Sequence, residues 1–291
     1  MATRQKTVLI TGCTPGGIGH ELALEFLRHN FRVFGTVRSD EAKKTLLAEG
    51  VTALCLEVTS DESIQELYDE ISASVDGKLD ILVNNVYVCP LPLFAYSSRY
   101  DYVIYTVPVL DLKIEDMRRV FEINVFSCIR LVQKLSPLLI AAKGKIANIG
   151  SVAGVVPYVF GGCYNASKAA LHSFTDALRI EMAPFGVQVV LVATGGVKSR
   201  ISDVKKRLPS DSRYMPIEEK YLFRQGNSQR TAMPTETYAR KVVGDLLKPT
   251  TGAWLWRGHQ SSVVRWLSWI LPRGFWDWYF SRKFGLEDLK P

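Results

Sequence analysis

The chain has 291 residues, 47% hydrophobic and 22% charged, a length and composition that bury a large core and exclude a disordered polymer. Its net charge of +7 is modest, enough for solubility or for attraction to phosphate groups or an anionic membrane surface; no nucleic-acid module, repeat or low-complexity tract accompanies it, and no nucleic-acid partner is expected. Five scattered cysteines (Cys13, Cys55, Cys89, Cys128, Cys163), without Cys-x-x-Cys spacing, argue against a disulfide framework or a zinc site and for a reducing compartment.

In chain order, Lys6–Thr11 is a short β-branched apolar run, which suits a buried parallel strand. It begins so close to Met1 that no room is expected for a cleaved leader, and secretion is not expected. Ile18–His29 carries Leu22, Leu24, Phe26 and Leu27 at helical spacing. Strands are expected at Phe31–Val37 and Val51–Val58, with a helix over Glu41–Glu49 between them and a second helix capped by Asp61 running to about Val75. A fourth strand at Leu79–Asn84 and a fifth at Lys145–Gly150 flank a long helix from about Asp116 to Ala141. Gly162–Ala183 is a helix and Val187–Ala193 a sixth strand. This alternation predicts an α/β fold, a single doubly wound parallel sheet with helices on both faces. Ligands in such sheets bind beyond the carboxyl ends of the strands. The division expected is 1–250 for the α/β domain and 251–291 for a last strand with an aromatic, basic C-terminal extension.

Two patterns at those strand ends carry chemistry. Thr11-Gly12-Cys13-Thr14-Pro15-Gly16-Gly17-Ile18-Gly19 joins the first strand to the first helix, where glycines let backbone approach a pyrophosphate held at a helix N-terminus. Tyr164 and Lys168 stand four apart on one helix face, with Ser151 upstream. An ammonium at that distance is expected to lower the tyrosine pKa and make it a usable general acid or base.

Together these patterns resemble the short-chain dehydrogenase/reductase family over about Lys6 to Leu247. The resemblance implies a Rossmann-type fold that moves hydride between a nicotinamide cofactor and a carbonyl or alcohol. It implies that Ser151 hydrogen-bonds the substrate oxygen, that Tyr164 donates the proton, that Lys168 tunes the tyrosine and holds the nicotinamide ribose, and that Asn124 orders the lysine and a water relay. For the cofactor it implies the turn residues Gly12, Thr14, Gly17 and Ile18, with Asn85 after the fourth strand, Glu57 near the adenine, and Val197 and Ser199 in the nicotinamide loop. Val37 closes the second strand where an acid would bind the two ribose hydroxyls of NAD, and Arg38 and Ser39 follow it. That leaves space and charge for the 2′-phosphate of NADP, so NADPH/NADP+ is the expected cofactor and reduction the expected direction.

The chain departs from the family pattern in four places. The glycine turn is one residue longer, which glycine accommodates at little steric cost. The Thr194-Gly195-Gly196-Val197 loop lacks the family's proline, and Glu57-Val58 replaces its Asp-Val/Ile pair. After the fourth strand, Asn84-Asn85-Val86-Tyr87 replaces Asn-Asn-Ala-Gly and opens an insertion of about twenty residues, long for a compact domain. A lid over the pocket, a passive surface loop and an error in the gene model all account for that insertion. Val86 and Tyr87 stand where they would crowd a cofactor, which keeps open a catalytically silent, membrane-associated binding protein.

All six tryptophans lie between Trp254 and Trp278. Ser262–Leu271 reads as a short amphipathic helix broken by Pro272-Arg273-Gly274, and Arg257, Arg265, Arg273, Arg282 and Lys283 punctuate the aromatics. No run there approaches the roughly twenty apolar residues of a bilayer span. Residues 254–283 therefore read as a segment lying in a membrane interface, or as the cover of a substrate pocket, or as a dimer face in a homo-oligomer. With this tail the chain resembles a branch of that family, the fungal NADPH-dependent 1-acyldihydroxyacetone phosphate reductases. This implies a small-molecule, lipid-like ketone as substrate, and a place at the cytosolic face of the endoplasmic reticulum, on lipid droplets or in the cytoplasm. A ketoreductase or dehydrogenase of a fungal secondary metabolite or sterol is the alternative. Lys198, Arg200, Lys205, Lys206 and Arg207 follow the nicotinamide loop as candidates to meet a substrate phosphate.

Overall fold

A computed structural model of the chain describes residues 4–85, 106–198 and 207–289. The Val86–Ile104 insertion, Ser199, Arg200, Lys205 and Lys206 lie outside the described residues.

Seven strands form one parallel sheet: β1 (Thr7–Ile10), β2 (Arg32–Val37), β3 (Thr52–Cys55), β4 (Ile81–Asn84), β5 (Lys145–Ile149), β6 (Gln188–Thr194) and β7 (Trp254–Arg257). Their order is β3-β2-β1-β4-β5-β6-β7, every neighbouring pair parallel. The strand order reverses direction between β1 and β4, which places the switch-point crevice there. Alternating side chains feed two cores. Val8, Ile10, Ile81, Val83, Ala147, Ile149, Val190 and Val192 face one layer, while Leu9, Leu82, Ile146 and Val189 face the other.

The first layer holds α1 (Ile18–Arg28), α2 (Asp40–Ala48) and α8 (Thr235–Leu246); α8 buries Tyr238, Val242 and Val243 beside the Leu22, Ala23 and Phe26 of α1. The second holds α3 (Asp61–Ser74), α4–α5 (Ile114–Phe121 and Ser127–Ala142) and α6 (Gly162–Met182). Ser60, not the expected Asp61, caps α3: its side chain accepts the Ser63 amide, while Asp61 is the first helical residue beside the positive end of the helix dipole. The expected long helix runs from Ile114 to Ala142 but contains a π turn at Glu122–Phe126. It is apolar and long enough to cross a bilayer, yet Leu131, Leu135, Leu138 and Leu139 pack in the second core.

A third apolar cluster involves the C-terminal segment. The helices α9 (Ser261–Ile270) and α10 (Gly274–Lys283) bring Val264, Trp276, Phe280 and then Phe284 against Val156, Phe160 and the Tyr221 of α7 (Glu218–Asn227). β7, from the same segment, is the edge strand of the main sheet. The segment is therefore tied to the sheet by its strand and to the loop after β5 by its aromatic helices.

Candidate active site

The glycine turn leaves the carboxyl end of β1 with Gly12 and Gly16 at φ of 73° and 78°, a region favouring glycine. Cys13 N–H donates to Thr36 O at 2.8 Å and Gly12 N–H to Thr36 Oγ1 at 3.1 Å, which pins the turn to β2. A side chain at Gly19 would meet Gly12 O at 2.4 Å and Asn85 Nδ2 at 2.6 Å, so only glycine lets α1 start this close to the turn. Asn85 closes the other side: its Nδ2 donates to Thr11 O at 3.0 Å and Gly12 O at 3.1 Å, and its Oδ1 is buried without a partner among the described residues. The N-cap of α1 is Gly17 with no side-chain cap, and Ile18 is buried behind it while Thr14 remains half-buried. Close backbone approach and an uncapped helix start are what a pyrophosphate needs, and these residues fit a dinucleotide.

At the end of β2, Val37 is buried while Arg38 and Ser39 are exposed. Ser39 caps α2 by accepting the Ala42 amide at 3.3 Å. Glu57 is exposed, its Oε1 accepting from the Thr59 amide and hydroxyl at 3.2 and 2.7 Å, so its carboxylate holds the turn after β3. Val197 lies beyond β6, buried, with its carbonyl accepting from Gln229 Nε2 at 3.1 Å. A Cβ at Gly195 would meet His259 O at 2.1 Å, which explains glycine in this loop. The loop exchanges backbone hydrogen bonds with the C-terminal segment, Gly195 N–H to Arg257 O at 2.8 Å and Gly196 N–H to His259 O at 3.0 Å.

Ser151, Tyr164 and Lys168 meet at the end of β5. The Tyr164 hydroxyl is hydrogen-bonded to Ser151, whose Oγ also accepts the Ala153 amide at 3.1 Å. Lys168 is buried and its Nζ donates to Ile149 O at 2.9 Å, 5.8 Å from the Tyr164 ring centre. Burial lowers the Lys168 pKa from its ordinary 10.5 to about 8. The expected lowering of the Tyr164 pKa is not found. Burial raises it, the Ser151 hydrogen bond opposes that rise, and the ammonium is directed to a strand carbonyl instead of the phenol. The hydroxyl accordingly stays protonated near neutral pH.

Asn124 sits buried in the π turn, a distortion often found at functional sites. Its Nδ2 donates to Ser167 Oγ at 3.0 Å, and Ser167 donates to Tyr164 O at 2.8 Å, so it holds the helix turn that presents Tyr164. Its Oδ1 is buried without a partner among the described residues; a cavity of about 10 Å³ lined by Asn84, Asn124 and Cys128 lies beside it, room for one water.

Asn148, Thr175 and His172 are buried polar residues that the sequence pattern does not single out. Asn148 on β5 accepts from Asn84 Nδ2 at 2.8 Å and donates to Thr175 Oγ1 at 2.9 Å, joining two strands to α6. His172, one turn after Lys168, has its Nε2 3.3 Å from the Ser151 amide and accepts from it. The four-residue step from Tyr164 through Lys168 to His172 is the signal that could have found it.

Beginning at Val152 and Ala153, the residues that follow Ser151, a cavity of about 480 Å³ extends outward. Val152, Ala153 and Gly196 line its inner part, while Val263, Val264 and Leu267 of α9 and Phe275, Trp276, Tyr279 and Phe280 of α10 supply its apolar wall. The C-terminal segment thus covers a pocket with its inner face. Its outer face leaves Trp266, Trp269, Ile270 and Trp278 more than half exposed.

Comparison with known proteins agrees with this geometry. A family model described as short chain dehydrogenase matches residues 6–208. The chain is 39% identical over 294 aligned positions to a short-chain dehydrogenase, virD, of Hypocrea virens, covering 100% of this chain and 96% of that protein. It is 36% identical over 277 positions to an NADPH-dependent 1-acyldihydroxyacetone phosphate reductase of Schizosaccharomyces pombe, covering 90% and 88%. The crystal structure of a short-chain dehydrogenase from Streptomyces avermitilis superposes with a TM-score of 0.75 at 23% identity, covering 99% of this chain and 98% of the other.

His172 gives this site a signature in solution. Burial first, then the Lys168 charge, lowers its pKa from 6.5 to about 4, with Asp176 opposing. Between pH 4 and 6.5 the unfolded chain binds the proton that the folded chain refuses, so stability rises with pH there and is lost on acidification. Urea denaturation is expected to show a His172 contribution to this loss on the order of 3 kcal/mol, absent above about pH 6.5. In His172→Gln this part of the pH dependence should disappear; an unchanged profile would contradict the buried neutral imidazole.

Proposed function

The chain belongs to the short-chain dehydrogenase family and is an oxidoreductase, and from that premise we propose that it reduces an apolar ketone to a secondary alcohol with NADPH. The observation carrying this is the Ser151–Tyr164–Lys168 cluster at the end of β5, with a largely apolar cavity beginning at the adjacent Val152 and Ala153. The choice of NADPH is supported by the exposed Arg38 and Ser39 beyond a buried Val37, with no carboxylate at that position.

When bound, NADPH supplies the hydride that goes to the carbonyl carbon. Ser151 and Tyr164 bind the carbonyl oxygen through their hydroxyls and stabilise the negative charge developing there. Tyr164 donates its proton to that oxygen. The Lys168 ammonium, with a pKa of about 8 and hence charged at neutral pH, favours the phenolate left behind. Asn124 holds the Tyr164 turn through Ser167. Val152, Trp276 and Phe280 keep water from the reacting carbonyl by lining its approach.

A lipid-like ketone such as 1-acyldihydroxyacetone phosphate is the favoured substrate, supported by the acyl-compatible cavity and by the activity in the name of the Schizosaccharomyces pombe relative. The aromatic wall of Phe275, Trp276 and Tyr279 also suits a ring-bearing secondary metabolite or sterol, the second reading. The exposed Trp266, Trp269 and Trp278 stand near Arg265 and Arg273, with no Asp or Glu between Asp245 and Asp277. This composition supports contact with an anionic lipid surface, on the cytosolic face of the endoplasmic reticulum or on lipid droplets.

NADPH oxidation should be followed with 1-acyldihydroxyacetone phosphate and with neutral long-chain and steroid ketones. Tyr164→Phe is expected to lose about 10²–10⁴-fold in kcat while still binding NADPH. A variant as fast as wild type would remove Tyr164 from its assigned role. For the membrane, flotation with phosphatidylserine vesicles should recover the protein in the lipid fraction, and Trp266→Ser with Trp269→Ser should abolish recovery. Equal recovery of wild type and variant would exclude α9 as the contact.

A further inference from the structure

One wall of the large cavity is chemically one-sided. Among the described residues lining it there are two cations, Arg230 and Lys283, and no Asp or Glu. Among the described residues neither cation makes an ion pair. Both are held instead by aromatic faces. The Arg230 guanidinium lies 4.5 Å from the centre of the Phe223 ring, and Lys283 Nζ lies 5.7 Å from that of Phe284. Those two rings are themselves 6.3 Å apart, so the cations belong to one edge of the cavity. Lys283 also donates to Tyr279 Oη at 3.1 Å. A neighbouring residue adds an independent sign. Trp276, its ring 6.1 Å from that of Tyr279, is 7% exposed and its Nε1–H is buried without an acceptor among the described residues. A buried donor left unsatisfied carries a desolvation cost that a ligand acceptor would relieve.

Two cations without an ion pair and an unsatisfied donor, on a largely apolar lining that also carries the neutral polar Asn227, Ser228 and Thr231, are complementary to an acceptor-rich anion. We propose that Arg230, Lys283 and Trp276 form an anion subsite, receiving the carboxylate or phosphate of an amphiphilic ketone whose apolar body lies along the α9–α10 wall. Resting on the reductase reading, this subsite fixes the class of substrate and its orientation. The charged end stays with Arg230 and Lys283, and the carbonyl is directed inward toward Ser151. The aromatic faces keep both cations in place without neutralising them, which an acidic partner would do.

The test is calorimetric titration of the full-length protein with decanoate, decyl phosphate and decanol, each below its aggregation threshold. At least one anion should bind about tenfold or more tightly than decanol, as expected for hydrogen bonds to charged groups. The tighter of the two anions distinguishes carboxylate from phosphate. Arg230→Gln with Lys283→Gln should remove that preference and leave decanol binding unchanged. Trp276→Phe, which keeps an aromatic ring and removes the donor, should weaken the anion alone by a few-fold. Decanol binding as tightly as both anions, a preference that survives the double substitution, or no binding of any of the three would each overturn the proposal. NADPH titrated into the same protein separates the two readings: anion preference without NADPH binding would sink the reductase and spare the subsite.

Discussion

The hydrogen bond from Lys168 Nζ to the Ile149 carbonyl is the constraint on which the site depends. It buries an ammonium without a carboxylate, and the cost is visible in a pKa drawn down to about 8. It also ties α6 to the end of β5 at the point where Ser151 leaves the strand. Tyr164, one turn before Lys168, then has its hydroxyl against Ser151, and His172, one turn after, accepts the Ser151 amide. One helix therefore positions the serine through its backbone and meets it through a side chain. The Asn84–Asn148–Thr175 chain repeats the same join deeper in the sheet. Buried polar networks of this kind are expensive unless satisfied, and here they hold strands and helix in a single register.

Close backbone contact governs the outer half of the site. Gly195 and Gly196 lie so close to His259 that a side chain on Gly195 would collide with its carbonyl, and hydrogen bonds to Arg257 and His259 lock that approach. The C-terminal segment is consequently fixed to the loop after β6 before its helices begin. α9 and α10 turn one face inward as the cavity wall and leave tryptophans on the other. An interface segment and a pocket cover, alternatives from composition, are compatible as the two faces of one pair of helices.

Much of the fold is legible in the sequence because period-2 and period-3.6 apolar patterns alternate cleanly up to β6, and parallel strands buried on both sides read as apolar runs. The Tyr164/Lys168/Ser151 set is legible for a related reason: a four-residue step puts two side chains on one helix face wherever that helix packs. Other features are hidden. Ser60 and Asp61 are both good caps, and only the backbone decides between them. Asn148 inside a strand carries no pattern, and His172 carries only its four-residue step from Lys168, since the partners of both come from segments distant in sequence. The tyrosine pKa departs from expectation because spacing gives proximity to an ammonium and says nothing about burial or about where the lysine points. Helices α7 and α8 lie beyond the last motif and carry no chemical signature; Tyr238 of α8 nonetheless meets Thr194 at 2.7 Å, beneath the loop after β6.

The central claim is that the strand ends form a working NADPH site despite the lengthened glycine turn and the Asn84-Asn85-Val86-Tyr87 departure. Its most direct measurement is titration of the purified full-length protein with NADPH and with NADH, followed by nicotinamide fluorescence. The account predicts saturable binding of one NADPH per chain, with NADH weaker by about tenfold or more for want of the phosphate contact at Arg38. Failure of NADPH to bind, or tighter binding of NADH, would contradict it.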